Sequence, residues 1–245
     1  LLDSSTISSH RVSTGLACLD LTLGGGLAPG FHQFSGMEAS GKTTAGLTLL
    51  ASIVQEGKTP ATFFDAEGSG GADPKYLENV LRTVGVKEKA ETLFGLKDPT
   101  GKVVYEPKIV YRDDTEGEKF FNWLAGIQRR IPDKRLIGGS WWYVFEETKQ
   151  NKAKIGHLID DKMTRSSTGG YYVPAADGGM QMVILLDSLP ALMSGSVDED
   201  DPSNAIGIQA RMFSKGMNMV KGRLRRKRIV LLGINQLRAN PMQMY

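Results

Sequence analysis

The stretch Gly36-Met37-Glu38-Ala39-Ser40-Gly41-Lys42-Thr43-Thr44 constrains the fold more than any other part of the chain. It reads G-x-x-x-x-G-K-T. Ahead of it, Phe31-His32-Gln33-Phe34-Ser35 is short, aromatic and alternating, as suits a strand. Behind it, residues 44–55 place Leu47, Leu50, Ala51 and Val54 at the spacing of one helix face. A strand, a glycine loop and a helix start bring backbone N–H groups to one point, where the helix dipole also favours negative charge. The sequence therefore predicts a phosphate cradle for a nucleoside triphosphate. Lys42 is expected to reach the β- and γ-phosphates, and the Thr43 hydroxyl to ligate Mg²⁺. A glycine-rich corner that only closes a strand–helix turn is the competing reading. The Gly-Lys-Thr ending and the flanking elements favour the cradle.

At 245 residues the chain is long enough for one large α/β domain with an insertion, or for two small domains. Net charge is only +3, so a nucleic-acid surface would need local clustering rather than overall charge. The single cysteine, Cys18, excludes an intrachain disulfide framework and fits a reducing compartment. No basic segment followed by an apolar one opens the chain, and no apolar run approaches the roughly 18 residues of a membrane span. A soluble, cytoplasmic protein is expected. The start at Leu1 and the polar–apolar end are expected of part of a longer protein.

Residues 1–10 are Ser/Thr-rich and read as a linker or disordered segment. Ser13-Thr14-Gly15 can start a short helix carrying Leu16, Leu19 and Leu23. Residues 61–66 look like a strand ending at Glu67, and Asp73-Pro74 opens a helix through Val84 with Tyr76 near its start. Residues 108–112 form another short strand. Thr115 and Glu118 are spaced as a capping box ahead of a helix that buries Phe120, Phe121, Leu124 and Ile127. Beyond Pro132 the pattern loosens: a strand over 141–145, a basic amphipathic helix over 149–165, then turn residues over 166–179. The run 182–187 is apolar up to Asp187, as expected for a strand covered on both faces. A helix with Phe213, Met217, Val220 and Leu224 on one stripe and a strand over 229–234 follow. Strands alternating with helices predict an α/β fold with a mainly parallel twisted sheet and helices on both faces.

Phosphoryl chemistry needs a second group to hold Mg²⁺, and a carboxylate at the end of a buried strand beside the phosphate loop supplies it. Asp187 fits, against the alternative that it only caps the next turn. Glu67, at the end of a different strand, is the candidate for activating water. The basic run of residues 221–228 reads either as a nucleic-acid contact or as a solvated helix end favoured by the dipole. The aromatic cluster of residues 141–145 reads as packing more readily than as a base-stacking platform. His10, His32 and His157 are scattered and give no zinc spacing.

Several of these segments together resemble the RecA-type recombinases, and the resemblance covers most of the chain. It rests on S-T-G-L-A-C-L-D from Ser13, the G-M-E-A-S-G-K-T-T loop, F-F-D-A-E ending at Glu67, D-P-x-Y at Asp73 to Tyr76, L-L-D-S-L-P-A-L from Leu185, A-R-M-F-S-K-G from Ala210 and I-N-Q-L-R from Ile234. The resemblance implies a RecA-like P-loop ATPase core using ATP and Mg²⁺, with Glu67 activating water, Asp73 and Tyr76 contacting adenine and Gln236 sensing the γ-phosphate. It implies a homo-oligomeric helical filament on single-stranded DNA that pairs with double-stranded DNA, and two mobile DNA-binding loops, after Leu192 and after Gln236. A ring-forming motor and a non-hydrolysing ATP-binding mediator are the alternatives. Two departures count. Residues 132–179 have no counterpart in the cellular enzymes, which suggests a divergent phage member with an insertion. Asp198-Glu199-Asp200-Asp201 would repel phosphates from the first loop. The core, residues 11–245, is expected to stop at the start of the second loop.

Overall fold

Residues 182–187 are apolar without alternation because neighbours cover both of their faces. The computed structural model describes residues 10–57, 59–68, 74–83, 85, 87, 89–166, 169–195 and 205–237. Strand β9 (Met182–Asp187) is buried along its whole length. It lies at the centre of a five-stranded sheet ordered β1-β10-β9-β2-β5, from β1 (Gly30–Gly36), β2 (Ala61–Asp65), β5 (Ile109–Arg112) and β10 (Ile229–Gln236). Every neighbouring pair in this sheet is parallel.

The period-2 alternation of each strand sorts its side chains between two cores. Val183 and Leu185 of β9, with Val230, Leu232 and Ile234 of β10, face one core. That core is closed by α2 (Lys42–Glu56) and α3 (Pro74–Thr83), through residues such as Leu50, Ile53, Val80 and Leu81. Met182, Ile184 and Leu186, with Ile229 and Leu231, face the other, closed by α5 (Gly117–Arg130) and α8 (Ala205–Arg226). The helices pack closely at Gly216, where a Cβ would lie 2.2 Å from the Phe121 ring. Val220 and Leu224 of the expected stripe are fully buried; Phe213, Met217 and Ile127 are partly buried at its margin. A short α1 (Ala17–Thr22) precedes β1, and α4 (Ala90–Phe94) with the small ribbon β3 (Leu96–Lys97) and β4 (Val103–Tyr105) leads into β5.

Between α5 and β9 the chain builds a second, antiparallel sheet, ordered β6-β7-β8, from β6 (Asp133–Ile137), β7 (Ser140–Phe145) and β8 (Tyr171–Ala175). The aromatic cluster is therefore the central strand of this sheet. Segment 166–179, expected as turns, contains β8; five residues including Pro174 give a weak strand signal, and an edge strand tolerates the proline. The helix expected over 149–165 is broken into α6 (Lys149–Ile155), a 3₁₀ turn (Gly156–Leu158) and α7 (Asp161–Ser166). Gly156 is a poor helix residue, and Asp160 starts a new helix by accepting the Met163 amide at 2.8 Å.

The capping box expected at Thr115 and Glu118 does not form. Glu116 is the N-cap of α5 and makes no side-chain cap bond. The Glu118 carboxylate instead accepts from Ser194 Oγ at 2.5 Å and the Gly195 amide at 3.1 Å. The Gly117 amide donates to the Met193 carbonyl, and the Met193 amide to the Thr115 carbonyl. The segment after β9 thus caps α5 in place of the local side chain. Residues 1–9 and the acidic stretch 198–201 lie outside the described residues.

Candidate active site

Parallel pairing of β1, β10, β9 and β2 brings their C-terminal ends to one edge of the sheet. Gly36 is in register with Gln236, and Asp65 with Asp187. From Gly36 the chain turns through the glycine loop into α2. Gly41, the N-cap of α2, has a φ of 80°, where a side chain would be strained. A Cβ at Gly36 would meet Ser40 Oγ at 2.8 Å, so a larger residue there would have to displace the Ser40 hydroxyl. No side chain caps the first amides of α2 among the described residues. They open into a cleft of about 250 Å³ lined by residues 38–44, Asp187, Ile234 and Gln236. Uncapped amides at a helix N-terminus are a ready anion site.

Lys42 Nζ donates to the Met37 carbonyl at 2.6 Å, which holds the ammonium at the loop. Thr43 Oγ1 donates to Asp187 Oδ2 at 2.6 Å, joining the loop to the end of β9. Thr44 Oγ1 and the Tyr76 hydroxyl are 2.5 Å apart, so α3 presents Tyr76 to the start of α2. Asp73 lies outside the described residues. Glu67, just past β2, accepts from Gln236 Nε2 at 2.8 Å and from Ser188 Oγ at 2.6 Å through the same oxygen. A second hollow of about 470 Å³, lined by Glu67, Ser188, Gln236 and Met193 among others, adjoins this network. The structure brings Lys42, Thr43, Asp187, Glu67 and Gln236 to one edge.

Two residues that the sequence reading did not single out belong to the same cluster. Ser188 is buried and ties Glu67 to the end of β9; its place directly after Asp187 is the signal that was available. Asp65 is buried and accepts from the Tyr111 hydroxyl at 3.0 Å, while its other oxygen accepts the Gly68 amide at 3.1 Å. Burial and the Asp65 hydrogen bond push the Tyr111 hydroxyl up to about 12. In sequence Asp65 carries a signal only as part of F-F-D-A-E.

Burial is the main reason the Asp187 carboxyl is raised from 3.8 to about 6; the charges of Glu67 and Asp65 push the same way, and Thr43 and Lys42 only partly oppose them. A raised carboxylate among carboxylates marks a place short of positive charge. Among the described residues, no group of three or more His, Cys, Asp or Glu side chains is arranged to hold a metal alone. The Thr43 hydroxyl bonded to the Asp187 carboxylate fits Mg²⁺, which is bound by one or two protein groups together with substrate phosphates. Thr43 and Asp187 are the residues that would hold it.

The sign of the Asp187 shift sets a test. The folded pKa lies above the unfolded one, so, without Mg²⁺, ionising this group costs stability as pH rises from 3.8 to about 6. Asp187→Asn is expected to stabilise the nucleotide-free protein by roughly 1–3 kcal/mol at neutral pH, while weakening Mg²⁺-dependent nucleotide binding. The gain should shrink as pH falls toward 3.8. Thermal melts at both ends of this range read it; the same difference at each would contradict the electrostatic origin.

A glycine loop between β1 and α2, a carboxylate at the end of the central strand and a glutamate past the neighbouring strand define a P-loop core on a RecA-like sheet. No family model matches the chain. It is 28% identical over 239 residues to Protein RecA of Colwellia psychrerythraea, covering 96% of this chain and 48% of that protein. It is 26% identical over 238 residues to Protein RecA of Nostoc sp., covering 96% of this chain and 46% of that one. Protein RecA of Thermosynechococcus vestitus is 24% identical over the same length and coverage. The chain spans about half the length of the curated relatives it matches. These matches support a relationship to the RecA family, and so to a family of recombinases. No helix among the described residues is long and apolar enough to cross a membrane.

Proposed function

We propose that this chain is the ATPase core of a DNA recombinase, one that assembles as a filament on single-stranded DNA and pairs it with homologous duplex. The loop amides and Lys42 bind the ATP phosphates, and Thr43 and Asp187 hold Mg²⁺. When bound, Mg²⁺ neutralises charge on the phosphate oxygens. Glu67 orients a water and accepts its proton, held for that task by Ser188. Tyr76 and Asp73 contact the base. A phage origin is proposed on the insertion at residues 132–179, and a cytoplasmic setting on the bacterial relatives.

The observation that carries this reading is the bond between Gln236 and Glu67. Gln236 is the last residue of β10, anchored on the P-loop side because the Leu237 amide donates to the Gly36 carbonyl at 3.0 Å. On its other side begins the segment expected as the second DNA loop, after Gln236, of which residues 238–245 lie outside the described residues. Gln236 thus bonds the candidate carboxylate through its side chain, pairs with the P-loop strand through its backbone, and precedes that segment. When a γ-phosphate is present the amide has a second acceptor to choose, and the choice is transmitted to the chain after it. Linkage makes the effect mutual: DNA tightens ATP as ATP tightens DNA.

Gln236→Ala in the full-length protein is therefore expected to retain basal ATP binding and lose most of the gain in DNA affinity that ATP provides, a coupling typically worth roughly 5–150-fold. The measurement is single-stranded DNA affinity with ADP and with a non-hydrolysable ATP analogue. A variant whose affinity rises as much as the parent's removes Gln236 from this role. An amide that only ties down a strand end predicts lower stability with coupling intact.

A further inference from the structure

A cleft apart from the nucleotide site opens where the inserted sheet meets the main domain. It measures about 570 Å³ and lies between α5, the end of α8 and the inserted sheet. Arg129 and Arg130 end α5, Arg223 and Arg226 end α8, and Arg135 and Lys154 enter from the insertion, against the carboxylates of Asp133 and Glu146. The cleft sits at the opposite end of the sheet from the P-loop. Lys227 and Gln181 line or border it just before the first residues of β10 and β9, Ile229 and Met182, which are in register. A six-residue strand separates these from Asp187, a span of roughly 20 Å.

Cations at helix C-termini have an ordinary explanation in the helix dipole. Two observations go beyond it. Three carbonyls just past these helix ends already have donors: Lys227 Nζ on Ile131 O at 2.5 Å, and Gln181 Nε2 on Pro132 O and Lys227 O, each at 2.9 Å. Asp133 absorbs only part of the positive charge, meeting Arg135 at 3.1 Å, Lys227 at 3.2 Å and Arg226 at 3.6 Å. Arg129, Arg130, Lys154 and Arg223 have no ion pair among the described residues, and they come from both walls. The Gln181 amide, bridging Pro132 and Lys227, fixes the two walls to each other, so the charge is presented on a built frame. Phe145, partly buried, belongs to the same lining.

We propose that this cleft is a second nucleic-acid site, taking a single DNA strand whose phosphates lie between the arginines of α5 and α8 and Lys154, with a base stacked on Phe145. Guanidinium groups match phosphate oxygens in pairs, and aromatic faces accept any base, which gives binding without sequence preference. Cations on both walls suit one strand entering the cleft; a duplex would meet only its rim. The site does not use the nucleotide, so it acts in every nucleotide state, unlike the coupling assigned to Gln236.

The test is the combined variant Arg129→Glu, Lys154→Glu, Arg223→Glu in the full-length protein, read by anisotropy of a labelled thymidine oligonucleotide without nucleotide. Loss of three phosphate contacts is expected to lower affinity about tenfold or more at low salt and to reduce the slope of log affinity against log salt by about 2. ATP turnover without DNA should be unchanged. Glutamine at the same three positions should shift affinity in the same direction by less, and decides the matter if the charge-reversed protein does not fold. Unchanged affinity and slope overturn the proposal. So does an equal loss of duplex and single-strand binding, or displacement of the strand by polyglutamate of matched charge, which marks an acidic-peptide site. Failure of the recombinase reading is separate: it shows as ATP turnover that DNA does not alter, whatever happens to nucleotide-free binding.

Discussion

Glu67→Gln is expected to bind ATP as the parent does and to hydrolyse it roughly 10²–10⁴-fold more slowly. The geometry makes the substitution clean. One oxygen of Glu67 accepts both the Ser188 hydroxyl and the Gln236 amide, and a glutamine carbonyl keeps those two donors. What disappears is the carboxylate's ability to take a proton and to orient water through its charge. Binding measured by calorimetry and turnover by phosphate release separate the two. Near-normal hydrolysis would move the catalytic role to another carboxylate, and Asp65, buried behind the same edge, would be the next candidate.

Lys42→Ala is expected to weaken ATP binding by roughly 10–100-fold or more, the worth of one or two charge-assisted hydrogen bonds. Its effect follows from the charges at this edge. Asp65, Asp187 and Glu67 end or follow adjacent strands, and among the described residues Lys42 is the one cation lining the cleft. Removing it leaves a triphosphate facing carboxylates with the loop amides alone. The ammonium is held by the Met37 carbonyl, so its loss opens no buried cavity, and stability should change little. An unchanged ATP affinity by calorimetry would contradict the assignment of the P-loop.

The fold and the candidate site were legible where local sequence and tertiary role agree. The glycine loop announces its own geometry, and residues 182–187 and 229–234 are apolar enough that only doubly covered strands suit them. Asp187 and Glu67 stand out because carboxylates end such strands. The misreadings share a different cause. Thr115 and Glu118 satisfy a local capping pattern, but Ser194 and Gly195, distant in sequence, capture Glu118 first. The basic stretch over 149–165 keeps helical periodicity across Gly156, and only the turn at Asp160, whose amide donates to the Tyr172 carbonyl at 2.8 Å, shows where it breaks. β8 is short and carries a proline, so its identity depends on β7 beside it. The basic run after residue 221 looked uniform in sequence. In the structure Lys227 ties down Ile131 and Asp133, and Arg228 is buried against Trp141 and the His10 carbonyl, while Arg223 has no ion pair among the described residues. Ser188 had no pattern of its own, because a serine acquires a role only from the carboxylate that the fold brings to it.

The proposed function makes the cluster at the C-terminal edge of the sheet an ATPase that answers to DNA. ATP hydrolysis by the full-length protein, measured with and without single-stranded DNA, tests it most directly. Mg²⁺-dependent turnover is expected to rise when the DNA is added and to fall roughly 10²–10⁴-fold in Glu67→Gln. Turnover that is absent in both conditions, or equal in both, would contradict it.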